Sequence, residues 1–287
     1  MQAKKFSHFS SMDFVLLALV FGGLAVLYGE IFRGLVADWL NNDNYSHGFF
    51  IPLISVYMIY AMRADLGNSA LRPVHWGLLF LVAGLGQLLV ATTGSEFFLQ
   101  RTSLIPVLMG LILFLFGTVY AAKLLVPVFY LLFMIPLPAI IWNKIAFPMQ
   151  LFSTKLTEQV VQSIGIPVFR EGNILHLSQT TLEVIDACSG LRSLITMFAL
   201  SAALAWFARY STTRKWLLFF MAAPIAVFAN IIRLTSTAIL ASRYGGDVAQ
   251  GFLHEFSGFV TFFIGLAMLV GINSLFSRDR AGGPVTR

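Results

Sequence analysis

The chain has 287 residues, of which 58% are hydrophobic and 11% charged, with a net charge of +6. Soluble domains carry about 25% charged residues, so this chain cannot cover a globular surface with polar groups and takes lipid as the solvent for much of its length. Its lysines and arginines fall in short clusters between apolar runs, as membrane topology demands, so the basic excess predicts a bilayer and no nucleic-acid partner.

A membrane span needs about 20 apolar residues. Apolar runs occur at 13–32, 49–62, 75–92, 103–120, 123–141, 188–208, 215–240 and 255–276. The first reads as a span and not as a cleavable signal, because no small-residue cleavage site follows Phe14–Tyr28 and further spans come after it. The second is short, with its outer end near Tyr45. The fourth and fifth meet at Ala121–Lys123 in a tight helical hairpin, and Ile135-Pro136-Leu137-Pro138 breaks or ends the fifth. The longest piece outside the runs is 142–187. Its first half, Asn143 to Ile164, is patterned as an interfacial amphipathic helix. In its second half Gly172 and Asn173 offer a turn, and Ile174, His176, Leu182, Val184 and Asp186 fall in period-two stretches, which predicts a small β-hairpin. The expected fold is an all-α polytopic membrane protein of about eight transmembrane helices, with an outer-face element made of that helix and hairpin. It forms one domain over 1–277, followed by a polar, disordered cytoplasmic tail over 278–287.

Orientation follows from the basic residues. With the N-terminus in the cytoplasm, the inner segments hold Lys4, Lys5, Arg63, Arg72, Lys123, Arg209, Arg214, Lys215, Arg278, Arg280 and Arg287, which is 11 of the 19. The inner segments are also the shorter ones, so the density bias is stronger than the count. This positive-inside pattern puts both termini in the cytoplasm and 142–187 outside.

Three reactive side chains then reach one level of the membrane. Cys188, the single cysteine, lies in Asp186-Ala187-Cys188-Ser189-Gly190-Leu191-Arg192 at the entry to the sixth run. Arg233 lies about 25 Å along its helix from Trp216, at about 1.5 Å per residue, near the outer edge of a hydrocarbon core about 30 Å thick. His254 opens the eighth run. Each has a plain reading alone: a packing cysteine, a snorkelling arginine, an interfacial histidine. Their shared level, with Asn230 one turn before Arg233, favours chemistry. A thiolate attacks carbonyls and a thiol does not. Arg233, His254 and the auxiliary Arg192 would favour the thiolate, helped by a helix N-terminus. His254 could return a proton to a leaving amine, and Arg233, always charged, could stabilise an oxyanion. Tyr45 and His47, in Asn44-Tyr45-Ser46-His47-Gly48, form a second cluster, with His47 a rival or auxiliary base. One cysteine excludes an intrachain disulfide and a multi-cysteine metal site; no metal-ligand cluster, phosphate loop or cofactor motif is expected. Glu183 and Asp186 read as solvated or capping groups, and His176 as a surface residue.

At these residues the chain resembles the exosortase family, the membrane transpeptidases or proteases associated with Pro-Glu-Pro sorting signals. The matching pieces are Tyr45-Ser46-His47-Gly48, Ile135-Pro136-Leu137-Pro138, Arg170-Glu171-Gly172-Asn173, Ala187-Cys188-Ser189-Gly190-Leu191-Arg192-Ser193-Leu194, Asn230-Ile231-Ile232-Arg233 and His254-Glu255-Phe256-Ser257-Gly258. They run in family order over about 45–260. Asp186 departs from the pattern, standing where many members have glutamate. The resemblance implies a cysteine, arginine and histidine triad, carried here by Cys188, Arg233 and His254, and a thioester on Cys188. It also implies membrane-anchored substrates ending in a Pro-Glu-Pro motif (PEP-CTERM proteins), one helix and a basic tail; a Gram-negative inner membrane with the site facing the periplasm; and a link to exopolysaccharide production. The acceptor nucleophile stays open. The rival reading from another class is a transporter or assembly factor for an extracellular polymer, in which Arg233 and His254 bind an anionic substrate and Cys188 only packs.

Overall fold

A computed structural model describes residues 11–178, 180–184, 190–245 and 252–278. Cys188, Asp186 and residues 279–287 of the expected tail lie outside the described residues, as does the side chain of His254. Five helical stretches are long and apolar enough to cross a membrane: Phe14–Asn41, Trp76–Thr93, Phe97–Leu115, Thr212–Tyr244 and Ser257–Arg278. A sixth is reached if the stretches Thr118–Met134 and Ala139–Ser163 count as one broken span. The chain is therefore an all-α polytopic membrane protein with a small β element. It divides into two compact units, Met1–Pro138 and Ala139–Arg287.

In the first unit, α1 (Ser11–Asn41) leads through a 3-10 turn (Asp43–Phe49) into α2 (Phe50–Ala61) and a single helical turn, α3 (Arg63–Gly67). Then come α4 (Trp76–Thr93), α5 (Phe97–Thr102), α6 (Leu104–Leu115), α7 (Thr118–Tyr130) and a second 3-10 turn (Leu131–Met134). α2 has 12 residues, about 18 Å of helix, and falls short of the hydrocarbon thickness by itself. α4 and α6 pack backbone to backbone. A Cβ on Gly84 would stand 2.7 Å from Val107 Cγ2, and one on Gly110 would stand 2.5 Å from the Leu81 nitrogen. Small residues allow this approach, which replaces the hydrophobic drive that helices lack in lipid. The hairpin expected at Ala121–Lys123 turns earlier, at Gly117. There φ is +92° and a side chain would collide with the carbonyl of Arg72, its bridge partner. Only glycine adopts that backbone without strain, and no hydropathy profile registers it.

In the second unit, α8 (Ala139–Ser163) precedes β1 (Val168–Glu171), β2 (Ile174–Leu177) and β3 (Thr181–Glu183), then α9 (Leu191–Phe207), α10 (Thr212–Tyr244) and α11 (Phe252–Arg278). The helix expected from Asn143 to Ile164 begins four residues earlier and carries Pro148 within it. The hairpin turn at Gly172 and Asn173 forms, with Gly172 at φ +62°, and β3 adds a third antiparallel strand in the order β1-β2-β3. The sheet is seated by Val168, Leu175 and Leu177, which bury with Val161 of α8 and Ala238 and Ala241 of α10. α10 is the central helix. Its buried face runs through Leu218, Ala222, Ile225, Ala226, Ala229, Asn230, Arg233 and Leu234, the three- and four-residue spacing of one helical stripe. Met197 of α9 packs on Ala222 and Ala226, and Leu269 of α11 packs on Leu218 and Ile225.

Candidate active site

The turn Asn230–Leu234 of α10 organises the described part of the site. Arg233 is only 8% exposed and Asn230 only 1%. A guanidinium removed from water costs several kcal/mol unless partners compensate it, so a buried arginine on the central helix needs polar partners around it. Asn230 and Arg233 are three residues apart and share a helix face.

Two contacts bring the sequence around Cys188 to this turn. Val184, just past β3, is 1% exposed and buries against Leu234. Gly190, the residue capping the N-terminus of α9, sits in the left-handed region at φ +78°, and a Cβ there would stand 2.9 Å from Asn230 Cγ and 3.0 Å from its Nδ2. Val184 and Gly190 thus both lie against one turn of α10, the turn that carries Arg233. The α9 ladder starts at once, with the Leu194 N–H donating to the Gly190 carbonyl at 2.8 Å. Arg192 lies in the first turn of α9, half-buried, where Thr196 Oγ1 donates to its carbonyl at 2.8 Å.

Tyr45 and His47 belong to the first unit, where both bond to backbone. Tyr45 is 6% exposed, and its hydroxyl accepts from the Leu137 N–H at 3.2 Å. Burial pushes this phenol up to about 12. His47 Nε2 lies 3.2 Å from the Phe133 carbonyl, which makes Nε2 the donor. Trp39 Nε1 donates to the Met134 carbonyl at 2.9 Å, and Gly48 is required because a Cβ there would enter the Trp39 indole. Three side chains thus grip the backbone of 133–137, the segment of the Pro136 and Pro138 motif. The sequence singled out Tyr45 and His47 but not Trp39, which lies seven residues beyond the first apolar run.

His176 is a surface residue, as expected, 3.5 Å from Glu171 and 3.4 Å from the Thr181 hydroxyl. Among the described residues no three His, Cys, Asp or Glu side chains converge as a metal-binding group.

Apolar spanning helices, a small sheet and a buried arginine on the central helix of the second unit define an integral membrane protein. A family model described as transmembrane exosortase (Exosortase_EpsH) matches residues 39–271. The chain belongs to that family and is a multi-pass membrane protein. No curated protein and no solved structure matches it.

Proposed function

We propose that this exosortase is a cysteine peptidase or transpeptidase that cuts C-terminal Pro-Glu-Pro sorting signals of exported, membrane-anchored proteins. The observation that supports it best is that Val184 packs on Leu234 and Gly190 lies against Asn230, both on the turn that holds buried Arg233, while Cys188 stands between Val184 and Gly190 in sequence.

In this reading the Cys188 thiolate attacks the carbonyl carbon of the scissile peptide. Arg233 stabilises the oxyanion that forms. The C–N bond breaks, the leaving amine takes a proton from His254, and the acyl group stays on Cys188 as a thioester. Water or an acceptor amine then attacks the thioester and gives its proton to His254, and the C–S bond breaks to restore the Cys188 thiolate. Asn230 holds the Gly190 turn and Arg192 adds positive charge at the start of α9. Eight crossings, counting the shorter α2, α7 and α9, put both termini in the cytoplasm and the site at the periplasmic face of a Gram-negative inner membrane, in a single domain over 1–277. Work on cell-surface proteins made alongside exopolysaccharide suits that placement.

The test is intact mass of the purified protein, with and without Cys188→Ala, after co-expression with a Pro-Glu-Pro-tailed substrate. A substrate-sized adduct on the wild type that hydroxylamine releases, absent from the variant, supports the reading. Equal cutting by both proteins removes Cys188 as nucleophile and moves the polymer-transport reading forward.

A further inference from the structure

The two edges of the small sheet are treated differently, and the difference points to a peptide-binding edge. The phase of the ladder is set by two bonds. The Val184 N–H donates to the Asn173 carbonyl at 2.9 Å and the Leu177 N–H to the Thr180 carbonyl at 2.8 Å. Residues directly opposite each other in an antiparallel pair alternate between bonded and non-bonded. With Leu175 opposite Leu182, the bonded pairs of β2 and β3 are 173 with 184, 175 with 182, and 177 with 180. Thr181 and Glu183 are then the non-bonded positions, and their N–H and C=O groups point off the outer edge of β3.

The same phase carries through to β1, where Val168 and Arg170 point outward. There the edge is capped. The Arg170 N–H donates to Glu158 Oε1 at 3.1 Å, Gln162 Nε2 donates to the Val168 carbonyl at 3.1 Å, and the Arg170 side chain pairs with Glu158 at 3.3 Å. Both capping residues stand on α8. No such cap is seen on β3 among the described residues, and Thr181 and Glu183 are both exposed. An uncapped edge is a template for another strand, which proteins normally blunt. In sequence Cys188 follows five residues beyond Glu183.

We infer that the outer edge of β3 is the substrate-binding edge, and that it takes an extended peptide by strand addition, with main-chain bonds to Thr181 and Glu183. The inference rests on the proposed peptidase activity only for the identity of that peptide. A Pro-Glu-Pro segment suits the edge for a physical reason. Prolines lack an N–H and lie on edge strands with the nitrogen turned outward, and in a Pro-X-Pro run the alternation leaves only the middle residue to present both N–H and C=O to β3. The sheet would select an extended backbone with proline at every second position, and the glutamate faces Thr181 more readily than Glu183, where like charges oppose.

The experiment measures binding, so that turnover is not required. A fluorescent peptide of about ten residues with Pro-Glu-Pro at its centre, extended enough to lie along one strand, is titrated into the full chain carrying Cys188→Ala in detergent micelles. Thr181→Pro removes the outward N–H and leaves the bonds to β2 untouched; Thr181→Ala keeps that N–H. Expected is binding weakened about tenfold, or about 1.4 kcal/mol, by Thr181→Pro and by N-methylation of the peptide's glutamate. Their effects should not add, and Thr181→Ala should bind as the parent does. The N-methylated peptide reports on the edge even if the proline variant folds poorly. Equal affinity for methylated and unmethylated peptides, or no binding at all, overturns the inference. So does a protein that is dimeric by mass and made monomeric by Thr181→Pro with peptide affinity unchanged, which would assign the edge to a second copy. A peptide that binds in this pattern but is never cut when Cys188 is intact leaves the edge standing and removes the peptidase activity.

Discussion

In the proposed mechanism Arg233 has to serve both folding and chemistry with one side chain. It is 8% exposed on the central helix, so truncation to alanine would leave a cavity and confuse a lost charge with lost packing. Arg233→Met keeps most of the volume, and replacing a buried charge by a well-packed apolar residue is often neutral for stability. We expect Arg233→Met to accumulate at wild-type levels and to cut its substrate at least about 100-fold more slowly, the scale of a lost oxyanion donor. Immunoblots of protein level beside processed substrate check this, and a normal rate would remove Arg233 from the mechanism. Gly190 and Asn230 offer a second residue-scale prediction. Gly190→Ala meets two penalties: a left-handed backbone, about 1–3 kcal/mol, and contact with Asn230 at 2.9 Å. Adding Asn230→Ala relieves the second and not the first. Thermal unfolding in detergent should therefore show Gly190→Ala well below wild type, with the double variant partly recovered and the two changes non-additive.

The elements divide into those that cross and those that hold. The 3-10 turn Asp43–Phe49 is a holding element, gripping 133–137 with bonds from Tyr45 and His47, each contributing about 0.5–1.5 kcal/mol. That geometry separates two roles for His47. A glutamine places an N–H donor near the position of Nε2 but cannot transfer protons at neutral pH. His47→Gln should keep full processing if the residue only positions the loop, whereas a dead His47→Gln beside an active His254→Gln would move the proton to His47. Tyr45→Phe, which removes the acceptor for the Leu137 N–H, should lower the melting temperature and leave turnover unchanged in a purified assay. Hydropathy made the long crossing helices legible, because twenty apolar residues in a row have few other uses. The period-two pattern around Ile174 and His176 likewise announced strands. The third strand, Thr181–Glu183, is only three residues long, too short for periodicity to detect. The Gly117 turn depends on one backbone angle, and the seating of the end of β3 depends on Val184 meeting Leu234, 50 residues apart in the chain. Such contacts leave no local trace in the order of residues. The motif residues themselves were legible, but not the division of labour between Tyr45 and Arg233.

At the scale of the whole molecule the question is whether α9 crosses the bilayer, since that decides on which side Cys188 works. α9 has 17 residues, about 25 Å at about 1.5 Å per residue, against a hydrocarbon core of about 30 Å. Length alone marks it as short. Its partner resolves the matter. α9 and α10 are joined by the four residues Ala208 to Ser211 and pack along each other, so they run in opposite directions. Gly190 at the start of α9 touches Asn230, which stands about 27 Å along α10 from Thr212. α9 therefore covers the same depth as Thr212 to Asn230, within an α10 helix of 33 residues that is long enough to cross. The shortfall of a few ångströms is within what tilt and bilayer thinning absorb. Below the loop, Tyr210 donates to Asn273 Oδ1 at 3.0 Å and Arg214 to the Phe276 carbonyl at 3.0 Å, tying the ends of α9, α10 and α11 at one level. If α10 crosses, α9 crosses with it. The chain's single cysteine makes the test direct. In a Cys188→Ser background, exposed Ser178 and exposed Ser211 are changed to cysteine one at a time and treated with a membrane-impermeant maleimide. Cysteine at 178 should label in cells whose outer membrane alone is opened, and cysteine at 211 only after the inner membrane is lysed. Labelling of both from the same side would make α9 a re-entrant or interfacial helix. Cys188 would then have to be placed by the sheet and by α10 alone.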